Sequence, residues 1–96
     1  ENGNWKRREN YKEGMRDGLQ EKFYENGQLQ IKENFVDGQK DGLREEFHSN
    51  GQLRSRESYK DGERNGFLEK YNGLGQLLSK QCFQKGRKAE SSLCTP

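Results

Sequence analysis

"NGQLQIKENFVDGQKDGLREEF" runs from Asn26 to Phe47, and "NGQLRSRESYKDGERNGFLEKY" runs from Asn50 to Tyr71. The second stretch starts 24 residues after the first and keeps its glycines, aromatics and charges in place. The 96 residues divide into four units of that length: 1–24, 25–48, 49–72 and 73–96. Eleven of the twelve glycines fall at unit positions 3, 14 and 18, with Gly73 the exception. Nine of the ten aromatics fall at unit positions 5, 11, 19 and 23, with Tyr24 the exception. A fixed period in this range marks stacked supersecondary units within a single repeat domain.

Each unit reads as two short strands. The first is Gln28-Leu29 to Phe35, or Gln52-Leu53 to Tyr59. Two turn signals follow, Asp37-Gly38 with Asp41-Gly42, and Asp61-Gly62 with Asn65-Gly66. Glycine after Asp or Asn marks backbone that must visit positive φ. The second strand is Leu43 to Phe47, or Phe67 to Tyr71, and Asn26-Gly27 and Asn50-Gly51 then turn the chain as hairpin signals. Helices are a poor alternative, because three glycines per unit would break each one. The expected fold is all-β: an elongated single-sheet meander of four stacked 24-residue hairpins.

Composition alone points elsewhere. Only 26% of residues are hydrophobic and 35% are charged, which is close to the composition of disordered chains. The repeat outweighs that signal. The net charge of +2 comes from 18 basic and 16 acidic residues, finely mixed, and argues against a nucleic-acid partner. No apolar run approaches the roughly 18 residues of a membrane span, and no signal peptide is visible. The start at Glu1 leaves export or a periplasmic setting open beside a slightly favoured cytoplasmic one. Cys82 and Cys94 are too few for a disulfide framework or a zinc site; pairing and free thiols both stay open.

Odd unit positions share a face within a strand, which suggests one aromatic stripe. It would hold Trp5, Tyr11, Phe23, Phe35, Phe47, Tyr59, Phe67 and Tyr71, with Leu19, Leu29, Leu43 and Leu53 between them. Such a stripe needs cover from twist, a protein partner or a second copy in a homodimer. The fourth unit keeps Gly75, Leu77, Phe83 and Gly86, then puts Glu90 at the glycine position. Residues 89–96 are therefore expected to form a cap or tail.

The run "YENGQLQIKENFVDGQKDGL", Tyr24 to Leu43, resembles the MORN-repeat variant found in tandem in many bacterial proteins. The likeness covers nearly the whole chain and is closest through Tyr71. Proteins with this variant are frequently labelled antitoxin or immunity components, so the resemblance implies a binding protein that neutralises a cognate toxin. Related MORN repeats occur in scaffolds and have been linked to phospholipid contact, which implies a membrane surface as a further partner class. The chain departs from the family pattern at Glu9, Glu33 and Glu57, where glycine is common. It departs again at Gln20, Arg44 and Leu68, where Trp is common.

Charge repeats too. Arg8, Lys32, Arg56 and Lys80 share one unit position, and Arg16, Lys40, Arg64 and Lys88 share another. Acid recurs as Glu9, Glu33 and Glu57, and as Glu21, Glu45 and Glu69. The expectation is that the Arg8 row faces away from the aromatics while both Glu rows share the aromatic face. Those Glu rows have three open explanations: the rim of the stripe, hydrogen bonds from glycine-rich loops, or Arg from a partner. Cross-strand ion pairs on a solvated face are the plain reading of the basic row, and a strip for an acidic protein surface is the functional one. Catalysis has little support. His48 is the lone histidine and is expected to be exposed beside a turn. The glycines are turn residues and do not form a phosphate loop, and no Cys or His cluster suggests a metal or other cofactor. The expected function is non-catalytic protein binding through the aromatic stripe and the charged rows.

Overall fold

The computed structural model describes residues 6–94. Two units share one plan in full. A long strand, β5 (Leu29–Val36), turns into a two-residue strand, β6 (Gln39–Lys40), and resumes after Asp41 as β7 (Gly42–Phe47). The plan recurs as β8 (Leu53–Lys60), β9 (Glu63–Arg64) and β10 (Gly66–Tyr71). Only its first two parts recur once more, as β11 (Leu77–Gln84) and the three-residue β12 (Arg87–Ala89). In the first unit the long strand is split into β1 (Arg7–Arg8) and β2 (Tyr11–Lys12), followed by β3 (Met15–Arg16) and β4 (Gly18–Phe23). All pairings are antiparallel, and the main sheet runs β1-β4-β5-β7-β8-β10-β11-β12. The molecule is a slab of 47 × 40 × 18 Å.

The turns differ in kind. Asp37 and Gly38 have φ of 51° and 83°, and Val36 pairs with Gln39 on either side of them. Positive φ at both central residues matches the twist of a two-residue hairpin. Asn26-Gly27 belongs to a longer loop, closed by Gly27 N–H to Tyr24 O and Tyr24 N–H to Gln28 O. Asp41-Gly42 is not a second turn of the loop: Asp41 N–H still donates to Asn34 O at 3.0 Å, and Gly42 at φ 95° opens β7. The chain bulges here and leaves its own hairpin.

The two-residue turn sets the faces: Val36 pairs with Gln39, so odd residues before the turn meet even ones after it, and the bulge, an even insertion, keeps that parity. Phe35 pairs with Lys40, yet Ile31 pairs with Glu46, so two extra residues are absorbed between β6 and β7. Direct cross-strand partners share a face. Arg44, Glu46 and Gly42 lie opposite Glu57, Ser55 and Tyr59 on one face; Leu43 and Glu45 lie opposite Ser58 and Arg56 on the other. The expected single aromatic stripe is therefore corrected. Leu19, Leu43 and Phe67 sit on the face away from Phe35 and Tyr59, because odd positions of β4, β7 and β10 pair with even positions of the long strands. Glu21, Glu45 and Glu69 move with them, against the expectation that both Glu rows face the aromatics. Phe23, Phe47 and Tyr71 follow a second bulge and pair with Leu29, Leu53 and Leu77. Trp5 lies outside the described residues.

Neighbouring units are stitched at both ends of the strands. At one end the turn amides of Gly38, Gly62 and Gly86 donate to Arg16, Lys40 and Arg64 carbonyls, each at 2.9 Å. At the other end the Tyr24 hydroxyl donates to Phe47 O at 2.6 Å, and His48 Nε2 lies 3.1 Å from Tyr71 O. His48 is thus half-buried and structural, contrary to the exposed position expected for it. Asn26 and Asn50 side-chain amides donate to Ser49 O and Gly73 O.

The C-terminal segment leaves the pattern. Glu90 replaces the bulge glycine and takes φ −70°, and a 3-10 turn follows over Ser91–Leu93. Cys82, fully buried, is disulfide-bonded to Cys94. The pairing that the sequence left open is resolved as a bridge.

At Gly66, φ is +120° and an added Cβ would meet Ser58 Cβ at 3.3 Å; Gly73 has neither constraint. Gly66→Ala should cost about 1–2 kcal/mol in urea denaturation, while Gly73→Ala should be neutral or stabilising by up to about 1 kcal/mol. Equal effects at the two sites would contradict the bulge account.

Candidate interaction surface

The two faces differ in burial. The face holding Phe35, Phe83, Gln20, Ser55 and Glu57 contains most of the buried residues, and we term it the covered face. Its cover comes from the basic row beside each two-residue turn. Arg16 stacks over Phe35 at 5.4 Å, Lys40 over Tyr59 at 5.0 Å and Arg64 over Phe83 at 5.2 Å. Each base belongs to one unit and each ring to the next. A cation on a ring face is stabilising where water is partly excluded. The same bases pair with acid in their own unit: Arg16–Glu9 at 3.7 Å, Lys40–Glu33 at 3.9 Å and Arg64–Glu57 at 2.9 Å.

Arg44 joins two of these groups. It lies 3.1 Å from Glu33, 3.6 Å from Glu46 and 3.6 Å from Glu57. The Glu57 side chain is only 6% exposed, and it also accepts from Tyr59 at 2.9 Å. A buried carboxylate demands such partners, since an unpaired one is costly. The unusual Glu and Arg positions of the sequence thus answer each other: Glu33 and Glu57 are held by Arg44, Lys40 and Arg64 of this chain.

The other face is open. Seven charges cross the sheet there in one row: Arg8, Glu21, Lys32, Glu45, Arg56, Glu69 and Lys80, each a direct cross-strand partner of the next. The sign alternates at every step. Ion pairs form at Arg8–Glu21 (3.0 Å), Arg56–Glu69 (3.2 Å) and Lys80–Glu69 (3.7 Å), and Lys80 also lies 4.2 Å above the Phe67 ring. Beside this row Leu43 is 43% exposed and Val36 51% exposed.

The family described as "MORN repeat variant" matches residues 16–37 and 40–61. This chain carries MORN repeats of the variant type. Neither a curated protein nor a solved structure matched it. The two matched windows start 24 residues apart, and each spans a six-residue strand, the Asn-Gly loop and the long strand after it. MORN repeats are generally protein- or membrane-binding modules and typically non-catalytic.

The MORN array separates the residues singled out by the sequence. The open face brings together Arg8, Lys32, Arg56, Lys80, Glu45, Glu69 and Phe67. The covered face holds Phe35, Tyr59, Glu33 and Glu57, engaged with one another and with the bases above them. Tyr11 is 56% exposed in the separate β2–β3 hairpin. Sequence reasoning missed the part played by Arg16, Lys40 and Arg64, although a base recurring five residues after each aromatic was the available signal. It also missed Tyr24 and His48, whose shared unit position hides a shared hydrogen-bonding task behind different chemistry. Among the described residues no group of three His, Cys, Asp or Glu side chains is placed to hold a metal ion. No helix among them is long and apolar enough to cross a membrane.

Two outcomes follow for the covered face. Arg44→Leu should destabilise the MORN array by about 1–3 kcal/mol in urea denaturation, whereas Lys32→Ala on the open face should change stability by less than about 0.5 kcal/mol. Burial, aided by Glu57, pushes the Tyr59 hydroxyl above its ordinary value of 10.0, and burial with Glu69 raises Tyr71 as well. The folded chain then keeps these protons where the unfolded chain has lost them, so stability declines as pH rises beyond about 10. Tyr59→Phe should flatten this alkaline limb in urea midpoints measured from about pH 9 to pH 11; an unchanged slope would show that Tyr59 does not contribute.

Proposed function

We propose that the chain is a non-catalytic protein-binding module that docks a partner on its open face, in the manner of an antitoxin or immunity protein covering a toxin. The observation that carries this reading is the alternating row from Arg8 to Lys80 beside exposed Leu43 and Val36. Apolar contacts beside an ordered pattern of both signs suit a protein surface, where charge complementarity sets register and rejects wrong partners. A phospholipid surface is a poorer match, since the bases that would meet headgroups lie in register with Glu21, Glu45 and Glu69. The aromatic stripe is a weaker docking surface than the sequence suggests, because its rings at Phe35, Tyr59 and Phe83 already lie beneath cations. The finer role rests on the resemblance of Tyr24 to Leu43 to repeats in antitoxin components.

The test is to titrate the purified chain against the product of an adjacent toxin-type gene and to co-express the two. Binding should suppress toxicity, and Leu43→Glu with Arg56→Glu should weaken it by about tenfold or more. Unchanged toxicity with the unaltered chain sinks the antitoxin role. Full protection by the double variant moves the docking site off the open face.

A further inference from the structure

The sheet ends on an incomplete strand. β12 pairs only with Cys82–Gln84, so among the described residues Leu77 to Gln81 of β11 has β10 on one side and no strand on the other. In the two preceding units the same place is filled. Ile31 and Lys32 of β5 receive Glu46 and Glu45 of β7, and Ser55 and Arg56 of β8 receive Lys70 and Glu69 of β10. Burial records the difference. Ser55 is 9% exposed where its outer neighbour is present, whereas its counterpart Ser79 is exposed. Around this edge Leu74, Leu77, Leu78 and Leu93 are 82%, 53%, 65% and 62% exposed.

The chain's own tail is steered away from the vacant place. Residues 93 and 94 stand where Glu69-Lys70 and Glu45-Glu46 stand in earlier units. Glu90 lacks the positive φ of the bulge glycines, the disulfide ties Cys94 to Cys82, and Gln84 Nε2 donates to Leu93 O at 3.1 Å. Leu93 also supplies no acid for Lys80. The opposite edge differs: β1 presents Arg7 and Arg8, and charge on an edge strand discourages pairing. Stacking that edge of a second copy onto β11 would set Arg8 against Lys80, base against base.

We infer that the free edge of β11, from Leu77 to Lys80, is a strand-addition site for an extended segment of a partner protein. That segment carries an acidic residue opposite Lys80 and an aromatic or large apolar residue two places on, over Leu78. The alternating row dictates the acid: it ends on Lys80, and each earlier base of the row has an acid on its outer side, as Lys32 has Glu45 and Arg56 has Glu69. The chain itself writes the complementary pattern three times, as Glu21-Lys22-Phe23, Glu45-Glu46-Phe47 and Glu69-Lys70-Tyr71. Main-chain hydrogen bonds to an open edge supply affinity in this mode of recognition, and alternate side chains supply selectivity. The site lies at the end of the sheet and does not depend on the open-face reading above.

The test uses the full oxidised chain and a labelled synthetic peptide, GLREEFHS, copied from residues 42–49. Fluorescence anisotropy should report binding that weakens by about tenfold in Lys80→Glu and returns when the peptide Glu opposite it is replaced by Lys. Lys80→Pro, whose amide points to the free edge as those of Lys32 and Arg56 point to β7 and β10, should abolish binding while circular dichroism stays that of the folded chain. No binding to the unaltered chain overturns the inference. So does equal affinity for both peptides, or a self-associated dimer in size-exclusion chromatography that shuts the peptide out.

Discussion

The bulge at the start of each six-residue strand governs this molecule. Asp41 stays hydrogen-bonded to its own hairpin, and Gly42, at φ 95°, sends the chain on to the next long strand. An L side chain resists that conformation, so the glycine there is a requirement of the route. Without the offset, the two strands of a unit would close on each other as an isolated hairpin, which is marginal in water. With it, β7 pairs with β5 on one side and with β8 on the other, and a continuous sheet results.

The two-residue turn at Asp37-Gly38 pairs odd residues with even ones and so divides the side chains between faces, a division that the two-residue bulge keeps. Only Phe35, Cys82 and Phe83 are buried hydrophobics among the described residues. The covered face is built instead from rings beneath cations and from carboxylates shared among Arg44, Lys40 and Arg64. Any one exposed ion pair contributes at most about 1 kcal/mol. A shared network around buried Glu57 matters more, because losing a member leaves a charge out of water without a partner. On the open face the bases Arg8, Arg56 and Lys80 are about half-exposed, while Glu21 and Glu69 between them are only 15% and 14% exposed.

Repetition also makes the ends of the array unlike its middle. Each unit lends a base to the ring of the next and takes a strand from its neighbour, so the last unit has unmet needs on one side. The Cys82–Cys94 disulfide and the Ser91–Leu93 turn close off part of that side, over the buried Cys82, and leave Leu77 to Lys80 uncovered. A closed fold hides such differences; an open stack displays them.

The sequence by itself determined the period, the strand type, the Asp37-Gly38 and Asn-Gly turns and the repeat type, because glycine spacing and positive φ are local demands that any neighbour must accept. The long strand from Leu29 was legible to within a residue of its observed end at Val36. What only the tertiary structure decided was the partnership of side chains. Alternation tells which residues of one strand share a face, but the relation between two strands depends on register, and the two-residue turn at Asp37-Gly38 pairs odd positions with even ones. That is why Leu43 and Phe67 parted from Phe35 and Tyr59. It is also why the Glu45 and Glu69 row came to face Lys32, Arg56 and Lys80.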